Sequence, residues 1–185
     1  MSHFTVLIIG NDVEEQLEPY FELECTMNQE EMKNDPRAEF VEEMTTEALT
    51  EDFLKTKNDH PEYYYETLED FASEYHGYIK AEDEEVWGRF TNPKSKWDWY
   101  QIGGRWSGIF KIKDIEQDDT KEKYIEDSSR FSTYALVKEG EWYAKGEMGW
   151  WAVSSNEDEN WSEEFGKMIK SLPEDTLLTL VDCHI

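Results

Sequence analysis

Cysteine is scarce in this chain. Only Cys25 and Cys183 occur among 185 residues. They are far apart in sequence and carry no zinc-type or dithiol spacing, which excludes a zinc finger or a Cys-x-x-Cys redox centre. Both read as buried, reduced thiols of a cytosolic protein. Basic residues are also few: 18 Lys and Arg face 44 Asp and Glu, giving a net charge of −26 and a pI near 4.3. That excess argues against nonspecific binding to nucleic acid or to an anionic membrane. Long apolar runs are missing, and nothing approaches the ~18 residues of a membrane span. The apolar opening from Phe4 to Ile9 has no basic flank and no cleavage site, so it reads as a strand rather than a signal peptide. A Walker loop, a dinucleotide fingerprint, a Ser-His-Asp order and a cysteine nucleophile are all lacking.

Aromatic residues are abundant. They make up 15% of the chain and compensate for a modest supply of Leu, Ile and Val. A chain of this length buries roughly 70% of the surface its unfolded form exposes. The composition therefore fits a folded domain despite its charge.

Periodicity gives an α+β fold, a single domain over residues 1–185. Residues 3–9 and 177–185 are apolar on both faces and read as central strands. They are expected to be adjacent and antiparallel in a mostly antiparallel sheet. Residues 23–26 read as a short strand. Residues 28–56 read as helical, broken or started afresh at Asp35-Pro36, with Phe40, Val41, Met44, Ala48 and Leu49 as the stripe. Residues 61–75 read as a second helix stopped by Gly77. Together these form an acidic helical insertion over about residues 28–75. Strands follow at 86–90, 97–101 and 106–112, then a polar loop at 114–129. Next come a hairpin about Glu139-Gly140 and a strand at 149–154. The last helix starts at Asn160 with a capping box to Glu163. It buries Trp161, Phe165, Met168, Ile169 and Leu172 against the sheet and ends at Pro173.

The charge is unevenly spread. Residues 11–85 carry a net −20 and residues 114–185 a net −11, whereas residues 86–113 carry a net +5. Within this basic island lie Lys96, Trp97, Asp98, Trp99, Tyr100, Gly103, Gly104, Arg105 and Trp106. Aromatic faces, a guanidinium and closely approachable backbone N–H groups are what a nucleotide-like anion requires of a pocket. Arg105 and Lys96 would take phosphates, and Asp98 would orient Arg105 or accept a base N–H. Strand alternation would place Trp97, Trp99 and Gln101 on one face. The alternative reading puts these tryptophans in the core.

The opening Ser-His-Phe-Thr-Val-Leu-Ile-Ile-Gly and the Pro19-Tyr20 pair belong to a wider pattern. With them go the block Asn-Pro-Lys-Ser-Lys-Trp-Asp-Trp-Tyr at 92–100, Gly-Gly-Arg-Trp at 103–106, Gly-Trp-Trp at 149–151 and the closing Asp-Cys-His-Ile. These motifs resemble a family of small proteins that recurs in tailed-phage genomes and in some bacteria. The resemblance covers both ends and the middle, but not the acidic region. It implies a phage context, with a counter-defence role as its associated expectation, and no particular chemistry.

A second candidate cluster follows from topology. An antiparallel pairing of the first and last strands brings His3, Asp182 and His184 together. Such a group suits acid–base catalysis, metal binding or the capping of strand ends. His3-Phe4-Thr5 also matches the short His-x-Thr signature of two-histidine phosphoesterases, without a second copy. His60 and His76 read as exposed.

The leading expectation is a cytoplasmic accessory protein that sequesters a small nucleotide-like ligand at the tryptophan motif. One alternative is an acidic DNA mimic that meets a host protein; another is a phosphodiesterase using His3 and His184. No cofactor, metal, membrane or direct nucleic-acid partner is assigned, and self-association stays open.

Overall fold

The computed structural model describes residues 2–82, 85–106, 119–120, 132–148, 153–173 and 175–185. The fold is mixed α+β. The chain divides into two compact units: residues 23–93 form one, and the segments before and after them form the other. No helix among the described residues is long and apolar enough to cross a membrane.

The chain begins with β1 (His3–Ile9) and a short helix α1 (Val13–Leu17). It then enters the inserted unit. There, residues Leu23–Cys25 form a 3-10 turn where a strand was expected. Helix α2 (Gln29–Met32) follows, with an Asn28/Glu31 capping box. Glu39–Thr45 is a strand, β2, not the expected helix. Its half-buried residues, Phe40 and Met44, are four apart, a spacing that satisfies both a helix and a strand. Helix α3 (Thr46–Asp59) starts at Thr45, whose side chain accepts from the Ala48 N–H. The second expected helix begins later than residue 61. It is α4 (Leu68–Asp70), boxed by Thr67 and Asp70, continuing as a π-helical turn over Phe71–His76. Gly77 closes it at φ 71°, the left-handed cap expected of it. Strands β3 (Ile79–Lys80) and β4 (Val86–Thr91) complete a sheet ordered β2-β4-β3. Leu49, Phe71, Ala72 and Trp87 form this unit's core.

The other unit is built on β5 (Trp99–Ile102), β6 (Asp119–Thr120), β7 (Ala135–Lys138) and β8 (Glu141–Ala144) together with β1. A small ladder pairs β9 (Glu147–Met148) with β10 (Ser154–Ser155). Helix α5 (Trp161–Ser171) precedes the final strand β11 (Leu177–His184). The main sheet runs β5-β11-β1-β7-β8, with β6 pairing the start of β11. β1 and β11 are antiparallel neighbours in the register His3↔His184 through Ile9↔Leu178. β7 lies parallel to β1, and the other pairings are antiparallel. The β7–β8 turn is Glu139-Gly140, both at positive φ, as a two-residue hairpin requires.

Alternation along the strands gives the sheet two faces. On one, Leu7, Ile9, Leu136, Leu178 and Leu180 pack under Trp161, Phe165, Ile169 and Leu172 of α5. On the other, Phe4, Val6, Ile8, Val181 and Cys183 pack with Leu17, Tyr20 and Trp97. Asn160 does not close the expected capping box: its side chain makes no cap bond, and Asp158 accepts the Asn160 N–H instead. The expected segments at 107–112, 114–118, 121–129 and 149–152 lie outside the described residues.

Candidate functional site

The face covered by α5 changes character along the strands. Its rows Leu7–Leu180 and Ile9–Leu178 are apolar. The next row toward the β1 start is Thr5–Asp182–Gln101, and the terminal row is His3–His184–Trp99. Residues directly opposite on paired strands share a face, so this polar patch continues the surface on which α5 sits.

His3 Nδ1 lies 2.8 Å from Asp182 Oδ1, a diagonal contact across the ladder. His184 Nδ1 lies 2.5 Å from Asp98 Oδ1, and the Asp98 N–H donates to the His184 carbonyl at 3.1 Å. A carboxylate only accepts, so each Nδ1 donates its proton to an aspartate, and Nε2 is the nitrogen that no aspartate engages. The rings meet edge to face with centroids 5.2 Å apart, and the Trp99 ring stands 6.2 Å from His3. Trp99 is half exposed, while the two imidazoles are largely buried. His184 Nε2 is buried and has no hydrogen-bond partner among the described residues.

Asp182 is the hub of this arrangement and is itself 1% exposed. Its Oδ2 accepts the Arg105 N–H at 2.9 Å. The turn that delivers this N–H has Gly103 at φ 70° and Gly104 at φ 53°. A Cβ on Gly104 would lie 2.4 Å from the Asp182 Cβ, so only glycine lets the turn approach this closely. The anion met by this glycine turn is thus an internal carboxylate. The Gly103 N–H is also used, donating to the Leu180 carbonyl at 2.8 Å.

The tryptophan motif therefore divides. Trp97 and Trp99 do not share a face. The strand starts only at Trp99, and Trp97 instead bridges to Phe21. Trp97 is buried in the opposite core, with its Nε1–H donated to the Leu17 carbonyl at 3.1 Å. Tyr100 packs edge-on against Trp97, and burial raises its pKa. Trp106 lies in a 3-10 turn and packs on the α5 cluster. Lys96 and Arg105 are exposed. Asp98 orients His184 rather than Arg105. Thr5 is buried and accepts the Tyr134 N–H through Oγ1 at 3.0 Å. The site thus gathers His3, Thr5, Asp182 and His184 with Asp98, Trp99 and the Arg105 backbone. In the sequence these residues form two separate sets. Asp98's pairing with His184 depends on the β5–β11 register, which no spacing in the chain encodes.

Two other expectations are corrected. Cys25 is exposed, not buried. Cys183 is buried, and that burial, aided by Asp182 and Asp98, pushes its thiol far above the usual range. His76 is part-buried and pairs with Asp52 at 2.9 Å instead of facing solvent. Among the described residues, no group of three or more His, Cys, Asp or Glu side chains is arranged to hold a metal ion. No family model, curated protein or solved structure matches the chain.

Proposed function

We propose that the His3–His184 end of the sheet binds a small nucleotide-like phosphate ester and cleaves it by acid–base chemistry. The observation that carries this reading is the pair of aspartate-anchored imidazoles packed edge to face beside the half-exposed ring of Trp99. One neutral imidazole would take a proton from the attacking hydroxyl through Nε2. The other, protonated, would return a proton to the leaving oxygen, which for His184 requires the bound ester to reach its buried Nε2. Each such transfer is worth roughly 10²–10⁴ in rate. Trp99 offers a face for a base, and Arg105 supplies the motif's guanidinium for phosphate. The setting we propose is the cytoplasm of a bacterial host, where a phage accessory protein would remove a signalling nucleotide.

The test is incubation of the full chain with a panel of cyclic and linear nucleotides, with products resolved by chromatography. His3→Ala and His184→Ala should each abolish cleavage. If both variants and the wild type bind a nucleotide equally and none cleaves it, the chain sequesters its ligand instead. A second reading, the acidic mimic, draws on the exposed carboxylates Glu39 and Glu42 of β2 and Glu47 and Glu51 of α3. It predicts inhibition of a DNA-binding protein that is lost when these four become glutamine.

A further inference from the structure

A separate cavity of about 150 Å³ lies in the inserted unit, walled by Phe53, Lys57, Pro61, Tyr63, Tyr64 and Tyr65. Its construction is local. Phe53 and Lys57 are one helical turn apart on α3, and the chain folds back after His60-Pro61 to bring three consecutive tyrosines beside them. Two walls are fixed by the core: Phe53 and Tyr65 both pack on Phe71, with centroids 5.2 and 5.3 Å away. The lip is open, since Tyr63 is 47% and Tyr64 77% exposed. Exposed tyrosines set in a row beside a cavity are characteristic of recognition surfaces, where an amphipathic ring adds contact area with little entropy loss.

The electrostatics select the occupant. Residues 51–74 carry eight acids against two bases, and residues 23–93 a net −14. Such a field repels anions and draws cations toward electron-rich ring faces. Lys57, one helical turn from Phe53, already places its Nζ 5.6 Å from that ring's centroid. We propose that this pocket receives an arginine or lysine side chain of a basic partner protein, which displaces the Lys57 ammonium from the Phe53 ring. Glu62 and Glu66, both exposed beside the tyrosines, would face the partner's remaining positive charge.

Calorimetric titration of the full chain with a short arginine-rich peptide tests this, with a matched glutamate-rich peptide as control. The arginine peptide should bind and the glutamate peptide should not. Tyr64→Ala should weaken binding about 3- to 30-fold, the span of a cation–π contact. Tyr64→Phe should restore most of it. Because Tyr64 is largely exposed, loss of folding does not confound that variant. Lys57→Gln should strengthen binding, since the competing ammonium is gone. The proposal is overturned if Lys57→Gln weakens binding or if the arginine peptide fails to bind at low salt. It is equally overturned if Tyr64→Ala leaves the affinity unchanged, or if the glutamate peptide is preferred.

Discussion

Asp182 holds His3 with one carboxylate oxygen and the Arg105 N–H with the other, at 2.8 and 2.9 Å. The side chain is buried, so both donors depend on it. This fixes the tautomer of His3 from a residue on β11 and anchors β11 to the turn after β5.

Replacing Asp182 separates chemistry from stability. In Asp182→Asn the amide oxygen can still accept from Arg105, but its NH2 must donate to His3 Nδ1. The His3 proton then moves to Nε2, where the basic lone pair was. Cleavage should fall roughly 10²- to 10⁴-fold with a modest loss of stability. Asp182→Ala should instead cost about 1–3 kcal/mol for each donor left buried without an acceptor. Denaturant unfolding and the nitrogen shifts of the His3 ring distinguish the two variants.

Gly104→Ala tests the close approach of the turn. Its added Cβ meets the Asp182 side chain at φ 53°, so the turn and the carboxylate must move apart. Stability should fall by about 1–3 kcal/mol, and cleavage should fall with it. Gly77→Ala is the control. It shares a positive φ of 71° but meets nothing within 4 Å. It should cost about 1–2 kcal/mol and leave cleavage intact.

The sheet was legible where apolarity ran unbroken. β1 and β11 are buried on both faces, and that alone argued for neighbouring central strands. The hairpin at Glu139-Gly140 and the α5 stripe were legible for equally local reasons. β2 was not, because Phe40 and Met44 fit both periods and a register shift between Glu42 and Met44 blurs the alternation. At the site, His3 and His184 followed from the pairing of their strands. Asp98 and the Arg105 N–H arrive through β5, whose register against β11 is set in three dimensions. Trp97 and Trp99 look alike in sequence, yet the bend before β5 sends them to opposite faces of the sheet.

The two thiols should behave differently. Cys25 is exposed, whereas Cys183 is buried with its ionisation suppressed. The thiolate is the reactive form. A colorimetric thiol reagent should therefore label one equivalent in the native protein and two after denaturation. Rapid native labelling of both would contradict the packing of β11 described above.

Asp35 predicts an acid-side stability change in the inserted unit. Hydrogen bonds from the Arg37 side chain hold its carboxyl down at about 2, against an ordinary value of 3.8. A depressed carboxylate stabilises the fold above its unfolded pKa, and that contribution disappears as pH falls through the folded one. Arg37→Met should therefore lower the unfolding midpoint at pH 5 and above. The gap from wild type should narrow between pH 4 and 2, as followed by circular dichroism.

Trp97 and Trp99, two residues apart, should give opposite results on mutation. Trp97 is 8% exposed, packs against Phe21 and Tyr100, and donates to the Leu17 carbonyl. Trp97→Ala opens a large cavity and strands a buried acceptor, so it should cost about 3–5 kcal/mol whether or not a ligand is present. Trp99 is 49% exposed, and its ring stands nearly perpendicular to His3. Trp99→Ala should cost less than Trp97→Ala, about 1–2 kcal/mol, since only half of its ring is buried. It should weaken nucleotide binding by about 1–3 kcal/mol, the worth of one stacked base. Thermal unfolding with and without a cyclic nucleotide measures both effects in one experiment. The ligand-induced rise in midpoint should survive in Trp97→Ala and shrink in Trp99→Ala. A Trp99→Ala protein that keeps the full ligand-induced rise would remove Trp99 from the site and leave the paired imidazoles without a base platform.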